Sequence, residues 1–159
     1  MKIRIAGIIS ESVTDGEGLR YVIFTQGCPH HCFGCHNPKT HSFVGGYEVD
    51  TDSLKKEIFE NPLLAGVTFS GGEPFCQPKP LAELAKAVRS RGLNVWSYTG
   101  YTLEALREKN DEDINALLAN LDVLVDGKFE MDLKDLTLPF RGSSNQRIIR
   151  LKEQSLLKW

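Results

Sequence analysis

The chain has no long hydrophobic run, no excess of charge of one sign, no low-complexity tract, no internal repeat and only four cysteines in 159 residues. Each shortage excludes something. No apolar stretch approaches the roughly 20 residues of a membrane span, so no membrane partner is expected. A net charge of −2 supplies no basic face of the kind nucleic acid demands. Without a linker or a repeat, residues 1–159 are expected to form a single domain, long enough to bury a real core. The opening MKIRIAG is too short and too interrupted for a secretory leader, which makes the cytoplasm the expected compartment. In a reducing compartment four cysteines do not read as two disulfides; clustered thiols there bind metal or do chemistry. A hydrophobic fraction of 41% and a charged fraction of 25% fit a soluble globular protein.

What is present is concentrated. Three of the four cysteines fall in Gly27-Cys28-Pro29-His30-His31-Cys32-Phe33-Gly34-Cys35-His36-Asn37, with the spacing Cys-x3-Cys-x2-Cys. The loop follows an apolar run over 21–26 that reads as a buried strand, so the thiols converge just past a strand's carboxyl end, where α/β folds place ligands. Three soft ligands so close together suit an iron–sulfur cluster. A [4Fe–4S] cluster usually takes four thiolates, so three leave one iron open for a small chelating ligand. Zinc is the rival, with Cys28, Cys32, Cys35 and one of His30, His31, His36 or His41 as a Cys3His set. Structural zinc sites, however, draw ligands from two separated knuckles more often than from one loop.

Along the chain, residues 3–9 alternate weakly and suggest an edge strand. Residues 10–20 form a polar, glycine-bearing loop. Residues 38–47 read as irregular, with a break at Gly45-Gly46. A helix follows from the start signal at Asp50-Thr51-Asp52, and Asn61-Pro62 ends it. The strand at 66–70 runs into Gly71-Gly72-Glu73-Pro74. Leu81, Leu84, Ala85 and Val88 have helical spacing, and Gly92 suits the position just past that helix. A strand over 93–98 leads to a Thr102-capped helix and a second helical piece over 111–118. A strand over 121–126 and a short one at 148–149 complete the pattern. Alternating strand and helix predict an α/β fold with a largely parallel sheet. A full (β/α)8 barrel takes about 250 residues, so the expectation is an incomplete, TIM-like barrel with one side open.

Two glycines at 71–72 allow close approach of backbone to a ligand, and the local carbonyls with Glu73 can accept from an ammonium group. Cys76, two residues past Pro74, is expected to be a small buried or half-buried residue at a helix entry rather than a fourth ligand. Arg141, Arg147 and Arg150 offer recognition of a partner or a carboxylate, with an ordinary solvated face as the alternative.

The cysteine spacing resembles the signature of radical S-adenosylmethionine enzymes, and Gly71-Gly72-Glu73-Pro74 resembles that family's second motif. Further matches are Asp15-Gly-Glu-Gly-Leu-Arg20, Gln26-Gly-Cys28, Tyr98-Thr-Gly-Tyr101, Asp122-Val-Leu-Val-Asp-Gly-Lys-Phe129 and Arg141-Gly-Ser-Ser-Asn-Gln-Arg147. Together they look like the activating proteins of anaerobic (class III) ribonucleoside-triphosphate reductase. The resemblance implies a [4Fe-4S] cluster on Cys28, Cys32 and Cys35 that passes one electron to S-adenosylmethionine. The resulting 5′-deoxyadenosyl radical takes hydrogen from a glycine of the partner reductase. Gly71, Gly72 and Glu73 would hold the methionine end of the cofactor, Ser97 and Tyr98 would face its ribose or adenine, and Lys128 would pair with its carboxylate. Many relatives have an aromatic residue before the third cysteine; here it is Gly34, which leaves the adenine contact to the backbone of Gly34 and the side chain of His36, with Cys35 between them counted among the cofactor-binding residues. Glu17 stands where relatives often have proline. A flavodoxin-type electron donor is implied as well. The alternatives are activation of another glycyl-radical enzyme, radical chemistry on a small molecule, and a zinc-binding module.

Overall fold

Strand pairing, more than strand composition, organises this chain into one sheet. The computed structural model describes residues 1–30, 32, 34 and 38–152. In chain order the elements are β1 (Lys2–Ser12), β2 (Arg20–Thr25), β3 (Tyr47–Asp50), α1 (Thr51–Glu60), β4 (Gly66–Gly71), α2 (Pro78–Ser90), β5 (Asn94–Tyr98), α3 (Leu103–Glu108), α4 (Glu112–Ala119), β6 (Val123–Asp126) and β7 (Arg147–Arg150). The sheet order is β3-β1-β2-β4-β5-β6-β7. β2, β4, β5 and β6 run parallel in the centre, and β1, β3 and β7 pair antiparallel on the flanks. The fold is therefore α/β, with a mixed sheet built around a parallel centre.

Two details differ from the sequence reading. β1 is not an edge strand: it lies between β2 and β3. The edge is β3, which falls partly in the segment read as irregular. Tyr47-Glu48-Val49-Asp50 is short and half polar, so its strand character comes from pairing with Lys2–Ile5 rather than from its own pattern.

Local signals set the helix ends. Asp50, Thr102 and Asp111 accept from the amides of Asp52, Ala105 and Ile114 at the starts of α1, α3 and α4. Such caps are worth about 1 kcal/mol each. α2 opens with Pro78 and stops at Ser90, two residues before Gly92, whose φ of +82° suits a residue without Cβ. Among the described residues no helix is long and apolar enough to cross a membrane.

The two faces of the sheet do different work. Tyr21, Ile23, Val67, Phe69, Val95 and Leu124 point to the helices and join one core with Leu54, Ile58, Leu81, Leu84, Val88 and Leu117. The opposite face carries Trp96, Val123 and Val125, packed with Tyr98, Phe140 and Ile148. Arg20 is fully buried on this second face. Its guanidinium donates to Thr68 Oγ1 (2.7 Å), the Glu17 carbonyl (2.8 Å) and the Val67 carbonyl (2.9 Å), and lies 5.4 Å from the Trp96 ring centre. Burial pulls its pKa down to about 10.

Candidate active site

Because β2, β4, β5 and β6 are parallel, their carboxyl ends meet along one edge of the sheet. The segments leaving them are Gln26-Gly27-Cys28, Gly72-Glu73, Thr99-Gly100 and Gly127-Lys128. Cys28, His30, Cys32 and His41 line one cavity of about 340 Å³ together with Asp15, Ser70, Gly71, Gly72, Tyr98, Thr99, Gly100, Gly127, Phe129, Phe140 and Arg141. That volume lies in the range of roughly 300–1,000 Å³ typical of small-molecule sites.

The root of the cysteine loop is held by backbone and one amide. The Gly27 amide donates to the Thr40 carbonyl (2.6 Å) and the Cys28 amide to the His41 carbonyl (3.1 Å). Gln26 Nε2 donates to the carbonyls of Lys39 (3.0 Å) and Ser42 (2.6 Å), tying the returning arm of the loop to β2. This gives Gln26-Gly27-Cys28 a structural reason that spacing alone did not reveal. Cys28 is buried and Cys32 half-buried. Cys35 and His36 lie outside the described residues.

Gly71 and Gly72 are glycines first because the chain packs on itself. A Cβ on Gly71 (φ +92°) would meet Thr25 N at 2.6 Å, and one on Gly72 would meet the Gly27 carbonyl group and Thr40 O. The turn is thereby pressed against the base of the cysteine loop, and the Glu73 amide donates to the Gly27 carbonyl at 2.7 Å.

Glu73 itself is fully buried. Its Oε1 accepts from the Gly100 amide (2.7 Å) and from His30 Nε2 (2.6 Å), and its Oε2 from Thr99 Oγ1 (2.8 Å) and the Phe75 amide (3.0 Å). Four donors already occupy this carboxylate, while the backbone of Gly71 and Gly72 borders the cavity. Thr99 and Gly100 were not singled out from sequence; the signal was the Tyr98-Thr-Gly-Tyr101 stretch directly after a parallel strand.

The remaining sequence-predicted residues divide. Tyr98 lines the cavity, with burial and the Asp15 carboxylate raising its pKa well above the ordinary phenol value. Ser97 does not: side chains alternate along β5, and Ser97 is buried opposite Phe69 and Leu124 on the helix side. Lys128 is exposed and lines a neighbouring cavity of about 520 Å³ together with Asp126, Glu130, Asn145 and Arg147. Gly34 is exposed (φ +76°), with Met131 closing over it and Phe129 beside it. Cys76 is exposed rather than buried or half-buried, at the end of a 3-10 turn over Pro74–Cys76. Desolvation, then the Glu73 carboxylate, pushes its thiol up to about 11.

Arg141, read from sequence as able to recognise a partner or a carboxylate, borders the cavity that Lys128 does not. It lines the cavity, donates from Nη1 to the Gln146 carbonyl (3.1 Å), and keeps a buried Nε with no hydrogen-bond partner. The turn carrying it is stitched to the end of β6: Gln146 accepts from the Gly142 amide (2.8 Å) and donates to the Gly127 carbonyl (2.9 Å). Arg147, by contrast, is spent on Asp126 and Glu104.

The residues present fit an iron–sulfur cofactor with a small charged ligand beside it. Two soft thiols, a backbone turn that admits no side chain and an orphaned guanidinium nitrogen all border one cavity. Comparison with known proteins agrees. A family model described as a 4Fe-4S single cluster domain matches residues 14–149, which defines the class. The chain is 37% identical over 151 residues to the anaerobic ribonucleoside-triphosphate reductase-activating protein of Pasteurella multocida, covering 89% of this chain and 93% of that one. It is 32% identical to the protein of the same description from Escherichia coli K12, covering 88% and 94%. The chain belongs to the family of anaerobic ribonucleoside-triphosphate reductase-activating proteins. It is also 40% identical over 96 residues to the pyruvate formate-lyase-activating enzyme of Clostridium pasteurianum, covering 57% of this chain and 40% of that one. Among solved structures, QueE from Escherichia coli matches with a TM-score of 0.51 at 19% identity, covering 64% of this chain and 54% of that one, a likeness of fold.

Proposed function

We propose that this chain is a radical S-adenosylmethionine activating enzyme that generates a glycyl radical on an anaerobic ribonucleoside-triphosphate reductase. The observation that carries the reading is the shared cavity: Cys28 and Cys32 border it together with Gly71-Gly72 and Arg141. The chemistry supplied there, with a [4Fe-4S] cluster and S-adenosylmethionine bound, is one-electron reductive cleavage of the sulfonium.

The chain's own residues have distinct tasks in this account. Cys28, Cys32 and Cys35 hold the cluster and leave one iron without a protein ligand. The backbone of the 71–72 turn takes the ammonium of the methionine end. Arg141 takes its carboxylate, because its Nε is buried and still owed a partner. Tyr98, Phe129 and Phe140 border the cavity and offer aromatic faces to the adenine; the backbone of Gly34 and the side chain of His36 keep the share of that contact that the resemblance gives them. Residues 1–159 act as one domain, and the sheet is read as an incomplete TIM-like barrel whose open side admits a glycine-bearing loop of the partner. A flavodoxin-type donor supplies the electron, in the cytoplasm.

The test is anaerobic reconstitution with iron and sulfide. The expected result is about four iron and four sulfide per chain, and methionine with 5′-deoxyadenosine after reduction in the presence of S-adenosylmethionine. Zinc without sulfide, or a reduced cluster that leaves S-adenosylmethionine intact, contradicts the reading.

A further inference from the structure

His30 sits inside the cysteine loop, between two of the three proposed cluster ligands, and its Nε2 is committed outside that loop. Its Nε2 lies 2.6 Å from Glu73 Oε1, and the two side chains are 5% and 0% exposed. A carboxylate accepts only, so the imidazole donates through Nε2. The ring packs edge-on against Tyr101, with centres 4.6 Å apart at 76°. Gly100 lies so close that a Cβ there would overlap the imidazole. His30 also borders both cavities, together with Gly100 and Gly127.

Glu73 is the hub of this arrangement. Its four donors come from the cysteine loop (His30), the segment after β4 (Phe75) and the segment after β5 (Thr99, Gly100). Its own amide reaches back to Gly27. The loop is thus fixed to the Gly-Gly-Glu turn twice: at its root by backbone and part-way along by the His30 side chain. The root bond fixes where the loop begins. The His30 bond fixes where His30 stands relative to the turn, and a small ligand held by both the cysteine loop and the turn would have to match that separation.

We propose that His30 is a positioning residue, holding the cysteine loop in register with the Gly71-Gly72-Glu73 turn through its bond to Glu73. The inference rests on the reading of Cys28, Cys32 and Cys35 as cluster ligands. It assigns His30 a role outside ligation, with Nε2 committed to Glu73; groups that orient a metal site without binding the metal typically cost about 10–100-fold in affinity or activity when substituted.

The experiment compares wild type, His30→Ala and His30→Gln, whose amide can still donate to Glu73. Each reconstituted protein is assayed for iron and sulfide, for S-adenosylmethionine binding by equilibrium dialysis, and for the change in the reduced cluster's paramagnetic resonance when S-adenosylmethionine is added. His30→Ala is expected to keep wild-type iron and sulfide, to bind S-adenosylmethionine about tenfold or more weakly and to lose the spectral change, with His30→Gln restoring both. Wild-type binding and spectra in His30→Ala overturn the inference. So does loss of iron in both variants, which would make His30 a ligand or a folding requirement. A wild-type protein that binds no S-adenosylmethionine overturns the proposed function instead. In that event the brace is read from the apo protein, where the Gly100 amide shares Glu73 Oε1 with His30: about tenfold faster hydrogen exchange at Gly100 in His30→Ala supports it, and unchanged exchange overturns it.

Discussion

The amide of Glu73 donates to the carbonyl of Gly27 at 2.7 Å, which joins the turn after β4 directly to the first residue of the cysteine loop. The two motifs are therefore one unit of backbone, and a side chain inserted between them has nowhere to go.

Gly72→Ala tests that contact. Its Cβ would meet backbone atoms, Gly27 C at 2.8 Å and Thr40 O at 2.9 Å, which cannot swing aside. A loss of about 2–3 kcal/mol of stability is expected, the scale of overpacking in a rigid site. Gly92→Ala is the control. There the space is open, and only the positive φ opposes the methyl group, at about 1 kcal/mol. Urea denaturation of the apo protein measures both, and equal midpoints for the two variants would contradict the packing account.

Arg141→Ala should weaken S-adenosylmethionine binding by about 10–100-fold, the loss of a charge-assisted hydrogen bond worth roughly 1.5–3 kcal/mol. Lys128→Ala should leave affinity unchanged, because Lys128 is exposed and borders the other cavity. Equilibrium dialysis distinguishes them; the reverse ranking would return the carboxylate to Lys128.

Stability should fall as pH rises above about 10, the ordinary tyrosine value. Burial and Glu57 raise the Tyr21 pKa, and burial and Asp15 raise that of Tyr98. The unfolded chain therefore releases both protons before the folded chain does, and each adds about 1.4 kcal/mol of destabilisation per pH unit. Arg20 opposes them: its pKa is lowered to about 10 by burial, so between there and its ordinary 12.5 the unfolded state holds the extra proton and stability gains. Two tyrosines against one arginine leave a net loss. Ultraviolet titration should show these two phenols ionising together with unfolding.

Asp126→Ala should cost about 1–3 kcal/mol in thermal denaturation. The buried carboxylate accepts from the Leu103 amide at the start of α3 (2.8 Å) and from Arg147 Nε on β7 (2.9 Å). Glu104→Ala removes only the exposed partner of the same arginine and should leave the melting transition in place.

The central strands, the helices and their caps were legible in the sequence because each is a local statement. Asp50 and Thr102 carry start signals, Asp111 reads from sequence as the first residue of its helix rather than as the cap it is, and four apolar runs alternate with helical spacing. The cysteine loop and the Gly-Gly-Glu turn could be placed at strand ends for the same reason. What was not legible depends on pairing or facing. β3 is a strand only because β1 lies beside it. Ser97 and Tyr98 are neighbours in sequence but sit on opposite faces, so only Tyr98 reaches the cavity. That Arg141 and not Lys128 borders the cavity depends on a turn 13 residues later folding back onto the end of β6 through Gln146. The burial of Glu73 and its four donors, drawn from three segments, are likewise visible only in three dimensions.

The most direct test of the central claim is to mix the reduced, reconstituted protein and S-adenosylmethionine with an anaerobic ribonucleoside-triphosphate reductase and record the electron paramagnetic resonance spectrum. The account predicts a doublet from a carbon-centred radical on the reductase, absent when Cys28, Cys32 or Cys35 is replaced by alanine. An intact cluster that cleaves S-adenosylmethionine but leaves the reductase without that signal would contradict it.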